Sequence, residues 1–124
     1  MTVAISEEMI ARYRASARQR EGDRQTSLDT RFVAAWNVAR HAAAMLRERY
    51  GVDNVWAFGS LLDRAKFFER SDIDLAVHQI DGREYYRAVS ALLDLSPDFS
   101  FDLVEVDFAP ASLQQTILSE GIPL

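Results

Sequence analysis

Apolar residues recur at helical spacing across the second quarter of the chain, and this spacing predicts a helix that ends near Gly51. Thr26 and Asp29 fit the capping-box pattern at its start, and glycine is common directly after a helix. The apolar positions are Leu28, Phe32, Trp36, Ala39, Ala43, Leu46 and Tyr50. An earlier, arginine-rich helix with a narrow apolar face is predicted over residues 6–20. The polar segment 21–27 is predicted to separate the two helices.

After Gly51 the pattern changes to short strand-like segments that alternate with helices. Residues 71–78 alternate strictly, which is typical of a strand with one buried face. The other predicted elements are a strand at 54–58, a short helix after Gly59-Ser60, a helix from Gly82 to Leu95, a strand at 99–106 and a helix from Pro110 to Glu120. This order predicts an α/β (α+β) fold in which helices flank a small mixed sheet. We expect residues 1–26 to form an N-terminal helical extension and residues 27–124 to form the domain itself.

Length and composition restrict the classes of protein that fit. A chain of 124 residues with 48% hydrophobic residues predicts one globular domain with a modest core. There is no cysteine and there are only two histidines, so disulfides, thiolate metal sites and histidine-centred triads are poorly supplied. No apolar run approaches the roughly 18 residues needed to span a bilayer. We therefore expect a cytoplasmic protein whose chemistry depends on carboxylates, hydroxyls and arginines.

Charge is distributed unevenly between the two parts of the chain. Residues 1–50 carry nine basic and six acidic residues, whereas residues 51–124 carry five basic and thirteen acidic residues. An acidic body repels polyanions unless cations intervene, so direct nucleic-acid binding is not expected. The basic segment 12–24 fits either docking to an acidic partner or to a second copy of this chain, or simple packing as a solvated helix on its own domain.

Two aspartates in the strand at 71–78 carry the candidate chemistry. Asp72 and Asp74 are two residues apart, so they share one face of the strand with their Cα atoms roughly 6.5 to 7 Å apart. Two carboxylates at that distance repel each other unless a cation lies between them. Asp102, in the next strand, adds a third oxygen donor, and this donor set suits Mg²⁺ together with nucleotide phosphates. The alternative interpretation is that these aspartates end a turn or face solvent at the sheet.

Gly59-Ser60 lies directly after the strand at 54–58, where backbone amides and one hydroxyl suit a phosphate group. Glycine lets the backbone approach a ligand closely. Three cations follow in the loop, Arg64, Lys66 and Arg70; they either contact phosphates or form solvated surface.

The combination of Gly59-Ser60, the stretch SDIDLAV at 71–77, and FDLVEVD at 101–107 resembles the polymerase β-type nucleotidyltransferase superfamily. The short chain is similar to the minimal nucleotidyltransferases that accompany HEPN-domain proteins in prokaryotic toxin-antitoxin pairs. This resemblance covers roughly residues 30–124. One departure is the segment Leu61-Leu62-Asp63-Arg64, where many members have a small residue or glycine.

The resemblance implies a nucleotidyltransferase fold and a role for each candidate residue. Gly59 and Ser60 would hold the triphosphate of ATP, and Asp72 and Asp74 would bind two Mg²⁺ ions. Asp102 would complete the metal site and help to activate the attacking hydroxyl.

The implied activity is transfer of AMP to a hydroxyl, a tyrosine in these relatives, of the HEPN toxin, as in a type VII-like toxin-antitoxin pair. The implied assembly is a hetero-oligomer with the toxin or a homodimer. Two alternatives stay open: a non-catalytic antitoxin that neutralises its toxin by binding, and nucleotidylation of a small molecule.

Overall fold

The computed structural model describes residues 5–124, and its first element is a helix of 44 residues, α1 (Glu7–Tyr50). The Ser6 side chain caps its N-terminus by accepting a hydrogen bond from the Met9 amide, 3.1 Å away. At the other end, Gly51 adopts the left-handed conformation, and its amide donates to the Arg47 carbonyl. Both predicted helix boundaries at Ser6 and Gly51 are therefore confirmed.

The predicted interruption at 21–27 is wrong, because α1 is continuous through this segment. Side chains there bond within the helix: the Gln25 amide donates to Glu21, and the Thr26 hydroxyl donates to the Gly22 carbonyl. Thr26 therefore does not cap a new helix at Asp29. The division into residues 1–26 and 27–124 stays a prediction, and no break in the backbone marks it.

A four-stranded mixed sheet follows the helix. Its strands are β1 (Asn54–Phe58), β2 (Ile73–His78), β3 (Phe101–Glu105) and β4 (Ile122–Pro123), in the order β3-β2-β1-β4. The pairs β1/β2 and β1/β4 are antiparallel, whereas β2/β3 is parallel. The sequence predicted the first three strands; β4 has only two residues, too few to produce a recognisable alternation.

The remaining helices agree closely with the sequence pattern. They are α2 (Gly82–Leu95) and α3 (Ala111–Glu120). The predicted short helix after Gly59-Ser60 is instead a pair of 3₁₀ turns, at Gly59–Leu62 and Arg64–Lys66. A third 3₁₀ turn, Val106–Phe108, connects β3 to α3.

Helices cover both faces of the sheet. The main core lies on the α1 and α2 side, where the β2 residues Ile73, Leu75 and Val77 are fully buried. A smaller cluster of Ala76, Val106 and Ile117 lies on the α3 side. The predicted α/β (α+β) class is confirmed. Because side chains alternate along a strand, Asp74 belongs to the same face as Ala76, whereas Asp72 lies just before the strand, which starts two residues later than predicted.

The first half of α1 extends away from this core. Its first buried side chain is Leu28, and nearly every described residue before it is exposed. Among residues 5–124, no helix combines the length and the apolar character that crossing a membrane requires.

Candidate active site

The sheet register places Asp74 between two other parts of the candidate site. Asp74 is the partner of Phe58, the last residue of β1, and of Asp102 on β3. Gly59 follows Phe58 directly, so the glycine turn starts beside Asp74. Asp72 lies just before β2, one residue ahead of Ile73. The structure thus brings together the five residues that the sequence singled out, at one end of the neighbouring strands β1, β2 and β3.

Asp74 has the most perturbed carboxyl group of the site. Its own burial, and then the negative charges of Asp102 and Asp72, raise the pKa of Asp74 to about 6. Asp72 and Asp102 are themselves exposed. The ionised form of this half-buried carboxylate is destabilised by repulsion from the two other carboxylates, and a bound cation would reduce that repulsion.

The Asp74 carboxylate fills the space beside Gly59 where a side chain would begin. The Gly59 φ of 73° lies in the left-handed region, and a Cβ atom built on this glycine would overlap Asp74 Oδ2 and lie 3.1 Å from Asp74 Cγ. Glycine is therefore required here for two reasons, the backbone conformation and the space. The predicted helix N-terminus is wrong in detail, since only a 3₁₀ turn starts at Gly59; amides and the Ser60 hydroxyl are available, but not a long helix dipole.

Two cavities are lined by residues of the candidate site. One, of about 360 Å³, is lined by Gly59 and Ser60 together with Lys66 and the end of α3. The other, of about 320 Å³, is lined by Asp72 and Ser71 together with Arg31 and Arg70.

The loop that connects the glycine turn to Asp72 is attached to α1, which sequence reasoning missed. Arg64 Nε lies 2.6 Å from Asp29 Oδ1, and Arg64 Nη2 donates to the carbonyl and the side-chain oxygen of Gln25. Arg24 pairs with Glu69 at 2.9 Å. These partners are 35 to 45 positions apart in sequence, and no local pattern signals them.

Two further side chains order the surroundings. Ser71 is buried and its hydroxyl accepts a hydrogen bond from the Phe68 amide at 3.0 Å, so it stabilises the turn before β2. Tyr85 on α2 donates to the Leu103 carbonyl at 2.7 Å. Burial, together with the charges of Glu105 and Asp102, raises the pKa of Tyr85, which keeps this donor protonated.

The donor set fits Mg²⁺ better than a metal held by protein alone. Within residues 5–124, no three carboxylate or imidazole groups are close enough together to form a complete ligand set. Mg²⁺ is commonly held by one or two carboxylates plus substrate phosphates. Asp74, with Asp72 and Asp102 on either side, supplies such a partial set, and the Gly59 turn lies where phosphates would complete it.

Comparison with known proteins agrees with this geometry. Residues 41–124 match the family described as Polymerase beta, Nucleotidyltransferase. No curated protein matches the chain in sequence.

Three solved structures share the fold. A toxin-antitoxin with AMP-PNP is 25% identical, with a TM-score of 0.55 over 65% of this chain and 67% of that chain. The toxin-antitoxin MntA-HepT is 22% identical, with a TM-score of 0.54 over 71% and 69% of the two chains. An MntA toxin-antitoxin mutant with two aspartate-to-glutamate changes is 21% identical, with a TM-score of 0.56 over 68% and 70%. The matched segment 41–124 contains the glycine turn and all three aspartates, and the chain belongs to the polymerase beta nucleotidyltransferase family.

Proposed function

We propose that this protein is the antitoxin of a toxin-antitoxin pair and that it transfers AMP from ATP to a tyrosine hydroxyl of its HEPN-domain toxin. Two Mg²⁺ ions are assigned to Asp72, Asp74 and Asp102, and the triphosphate is assigned to Gly59 and Ser60. The observation that carries the proposal is the position of Asp74, which has Asp102 beside it in register and the Gly59 backbone against its carboxylate.

The charge pattern supports a metal-nucleotide ligand over an exposed, purely structural set of acids. The raised pKa of Asp74 reflects first its own burial and then the negative charges of Asp102 and Asp72. A fold that needed these acids only for solubility would gain nothing from burying one of them between the other two. Mg²⁺, when bound, supplies the positive charge that stabilises the attacking and leaving oxygens.

Each residue of the chain then has a defined task in the reaction. The Gly59 and Ser60 amides and the Ser60 hydroxyl bind the distal phosphates and orient the α-phosphorus. Asp102 accepts the proton of the acceptor hydroxyl, whose oxygen forms the new bond to the α-phosphorus. The bond between the α- and β-phosphates breaks, and pyrophosphate leaves.

The toxin partner is inferred from the solved relative at 25% identity, which is a toxin-antitoxin with AMP-PNP, an analogue of ATP. The acidic body, in turn, argues against a nucleic-acid acceptor.

The decisive experiment is the intact mass of the purified toxin after incubation with the antitoxin, ATP and Mg²⁺. We expect the toxin to gain one or more AMP units with the wild-type protein and none with Asp72→Asn/Asp74→Asn. Asp94→Asn is the matched control, because it removes an exposed carboxylate of α2 outside the site. Omission of Mg²⁺ should also prevent the mass gain.

Two results would replace the proposal by its alternatives. If the double variant still protects cells from the toxin, and the wild-type protein adds no mass with any nucleoside triphosphate, the protein neutralises by binding. If pyrophosphate is released while the toxin keeps its mass, the acceptor is a different molecule.

A further inference from the structure

The three cations of the loop between Ser60 and Asp72 have different surroundings in the structure. Arg64 is engaged by Asp29 and Gln25 of α1 and has a side chain only 28% exposed. Arg70 lines the cavity beside Asp72. Lys66 is exposed and lines the cavity beside Gly59 and Ser60. The sequence pattern does not distinguish these three cations. In the structure, Lys66 is the one of the three that lines the cavity beside the glycine turn.

We propose that Lys66 binds the β- and γ-phosphates of the nucleoside triphosphate in the cavity that it shares with Gly59 and Ser60. This inference rests on the proposed function, because it assigns a further binding residue to the same nucleotide. The cavity, about 360 Å³, is within the usual range for small-ligand sites.

The other charged groups of the cavity show why this lysine matters. Asp63 and Glu120 also line it, and both are acids. The Asp63 carboxylate accepts a hydrogen bond from the Ala65 amide at 3.0 Å, so it is turned back onto its own turn. The Thr116 hydroxyl donates its hydrogen bond to the Ser112 carbonyl of its own helix. Lys66 is the only basic side chain that lines this cavity in the described part of the chain, and without it the walls would repel a triphosphate.

The side chain is also free to make this contact. Among the ion pairs formed by residues 5–124, none involves Lys66. It lies at the end of the second 3₁₀ turn, Arg64–Lys66, whose start is fixed to α1 through Arg64. Anchoring of Arg64 therefore holds the backbone at Lys66 in place, while its four-carbon side chain can follow the phosphates.

The test measures binding of AMP-PNP and of AMP, each with Mg²⁺, to the full chain by calorimetry. Lys66→Met should weaken AMP-PNP binding about tenfold, since a charge-assisted contact to phosphate is lost. AMP binding should change less than about twofold, since AMP has no β- or γ-phosphate. Lys66→Arg should retain AMP-PNP affinity. The control Arg83→Ala removes one cation from the exposed start of α2 and should leave both affinities unchanged.

The outcomes separate this inference from the proposed function. Wild-type protein that binds no AMP-PNP overturns both. Wild-type protein that binds AMP-PNP while Lys66→Met binds it equally well overturns only the role of Lys66. Equal losses for AMP and AMP-PNP, or the same loss in Arg83→Ala, would also overturn it, because the effect would then not involve the distal phosphates. All variants should keep the wild-type thermal midpoint, since Lys66 is on the surface.

Discussion

The backbone of Gly59 lies so close to the Asp74 carboxylate that no side chain fits at position 59. The contact joins the end of β1 to the neighbouring strand β2 and places the glycine turn against the most buried acid of the site. It follows from the β1/β2 register, in which Phe58 faces Asp74.

Gly59→Ala should therefore weaken both folding and nucleotide binding. The left-handed backbone alone costs an alanine about 1 kcal/mol, and overlap with Asp74 Oδ2 adds to it. We expect the free energy of unfolding, measured by urea denaturation, to fall by about 2–3 kcal/mol. AMP-PNP binding should fall below detection, since Asp74 or the turn must move.

Two other glycines provide the controls for this substitution. Gly51→Ala meets the same left-handed backbone with no atom within 4 Å, so it should show the conformational cost alone. Gly82→Ala has neither problem and should be close to neutral. If Gly59→Ala were no worse than Gly51→Ala, the close approach to Asp74 would have no energetic consequence.

The pH dependence of stability should reveal the Asp74 carboxyl directly. Its pKa is about 6 in the folded protein and near 3.8 when unfolded, so between these values the folded state binds more protons. The contribution of Asp74 to the free energy of unfolding is therefore fully present below about pH 4 and is lost as pH rises through about 6. Asp74→Asn removes this loss, so the free energy of unfolding of the variant should rise relative to that of the wild type as pH increases.

Urea titrations at pH 4, 5, 6 and 7 in the absence of divalent cations measure this difference. Asp94→Asn controls for the change in net charge, because Asp94 is exposed on α2. A difference between Asp74→Asn and the wild type that is constant across this pH range would contradict the assignment.

Divalent cations should restore the stability that is lost when Asp74 ionises. Mg²⁺ that binds only the folded protein raises the free energy of unfolding by about 2.7 kcal/mol at one hundred times its dissociation constant. We expect the thermal midpoint at pH 7 to rise with Mg²⁺ in the wild type and to return after chelation. Asp72→Asn/Asp74→Asn should show no response, whereas Asp94→Asn should respond like the wild type; equal responses in all three would place the cation elsewhere.

The sequence pattern predicts which side chains of β2 share a face, but it does not predict which residues of the neighbouring strands lie beside them. Period-two alternation predicts one face for Asp72 and Asp74, and the observed strand, which starts at Ile73, includes only Asp74. The register of Asp74 with Asp102 depends on how two distant strands pair, which a local pattern does not encode. The sequence therefore offered Asp102 as a third oxygen donor in the next strand without giving its position relative to Asp74.

The error in α1 has a similar cause. Glycine at position 22 and the polar residues after it lower helix propensity by about 1 kcal/mol or less each, which suggested a break. In the folded protein the contacts of Arg24, Gln25 and Asp29 with the loop at 64–69 stabilise the continuous helix. Tertiary contacts of this kind outweigh weak local preferences.

The contact between Arg64 and Asp29 should be worth more than a typical exposed ion pair. The Arg64 side chain is largely covered and also bonds to Gln25, so the geometry is held by three hydrogen bonds. In a double-mutant cycle with Arg64→Met and Asp29→Asn, we expect a coupling energy of about 1 kcal/mol. Coupling near zero would mean that the loop is held without this pair.

Loss of the loop anchor should also be visible in ligand binding. Arg64→Met should weaken AMP-PNP binding severalfold, because the turn that carries Lys66 would lose its fixed start. Arg87→Met, at a cation on α2 distant from this loop, serves as the matched control. Unchanged affinity in Arg64→Met would separate the anchor from nucleotide binding.

Two truncations test where the helical extension ends in functional terms. Removal of residues 1–23 deletes the largely exposed start of α1, from Glu7 to Asp23, but retains Arg24, Gln25 and Asp29, so the loop contacts survive. Removal of residues 1–26 takes away Arg24 and Gln25 as well. We expect the first truncation to keep its affinity for AMP-PNP and to have a free energy of unfolding within about 1 kcal/mol of that of the full chain. The second truncation should bind AMP-PNP severalfold more weakly. The hydrogen-exchange rate of the amides at 64–70 should rise only in the second truncation. Equal protection in both would show that a boundary at residue 26 leaves the loop at 64–70 intact.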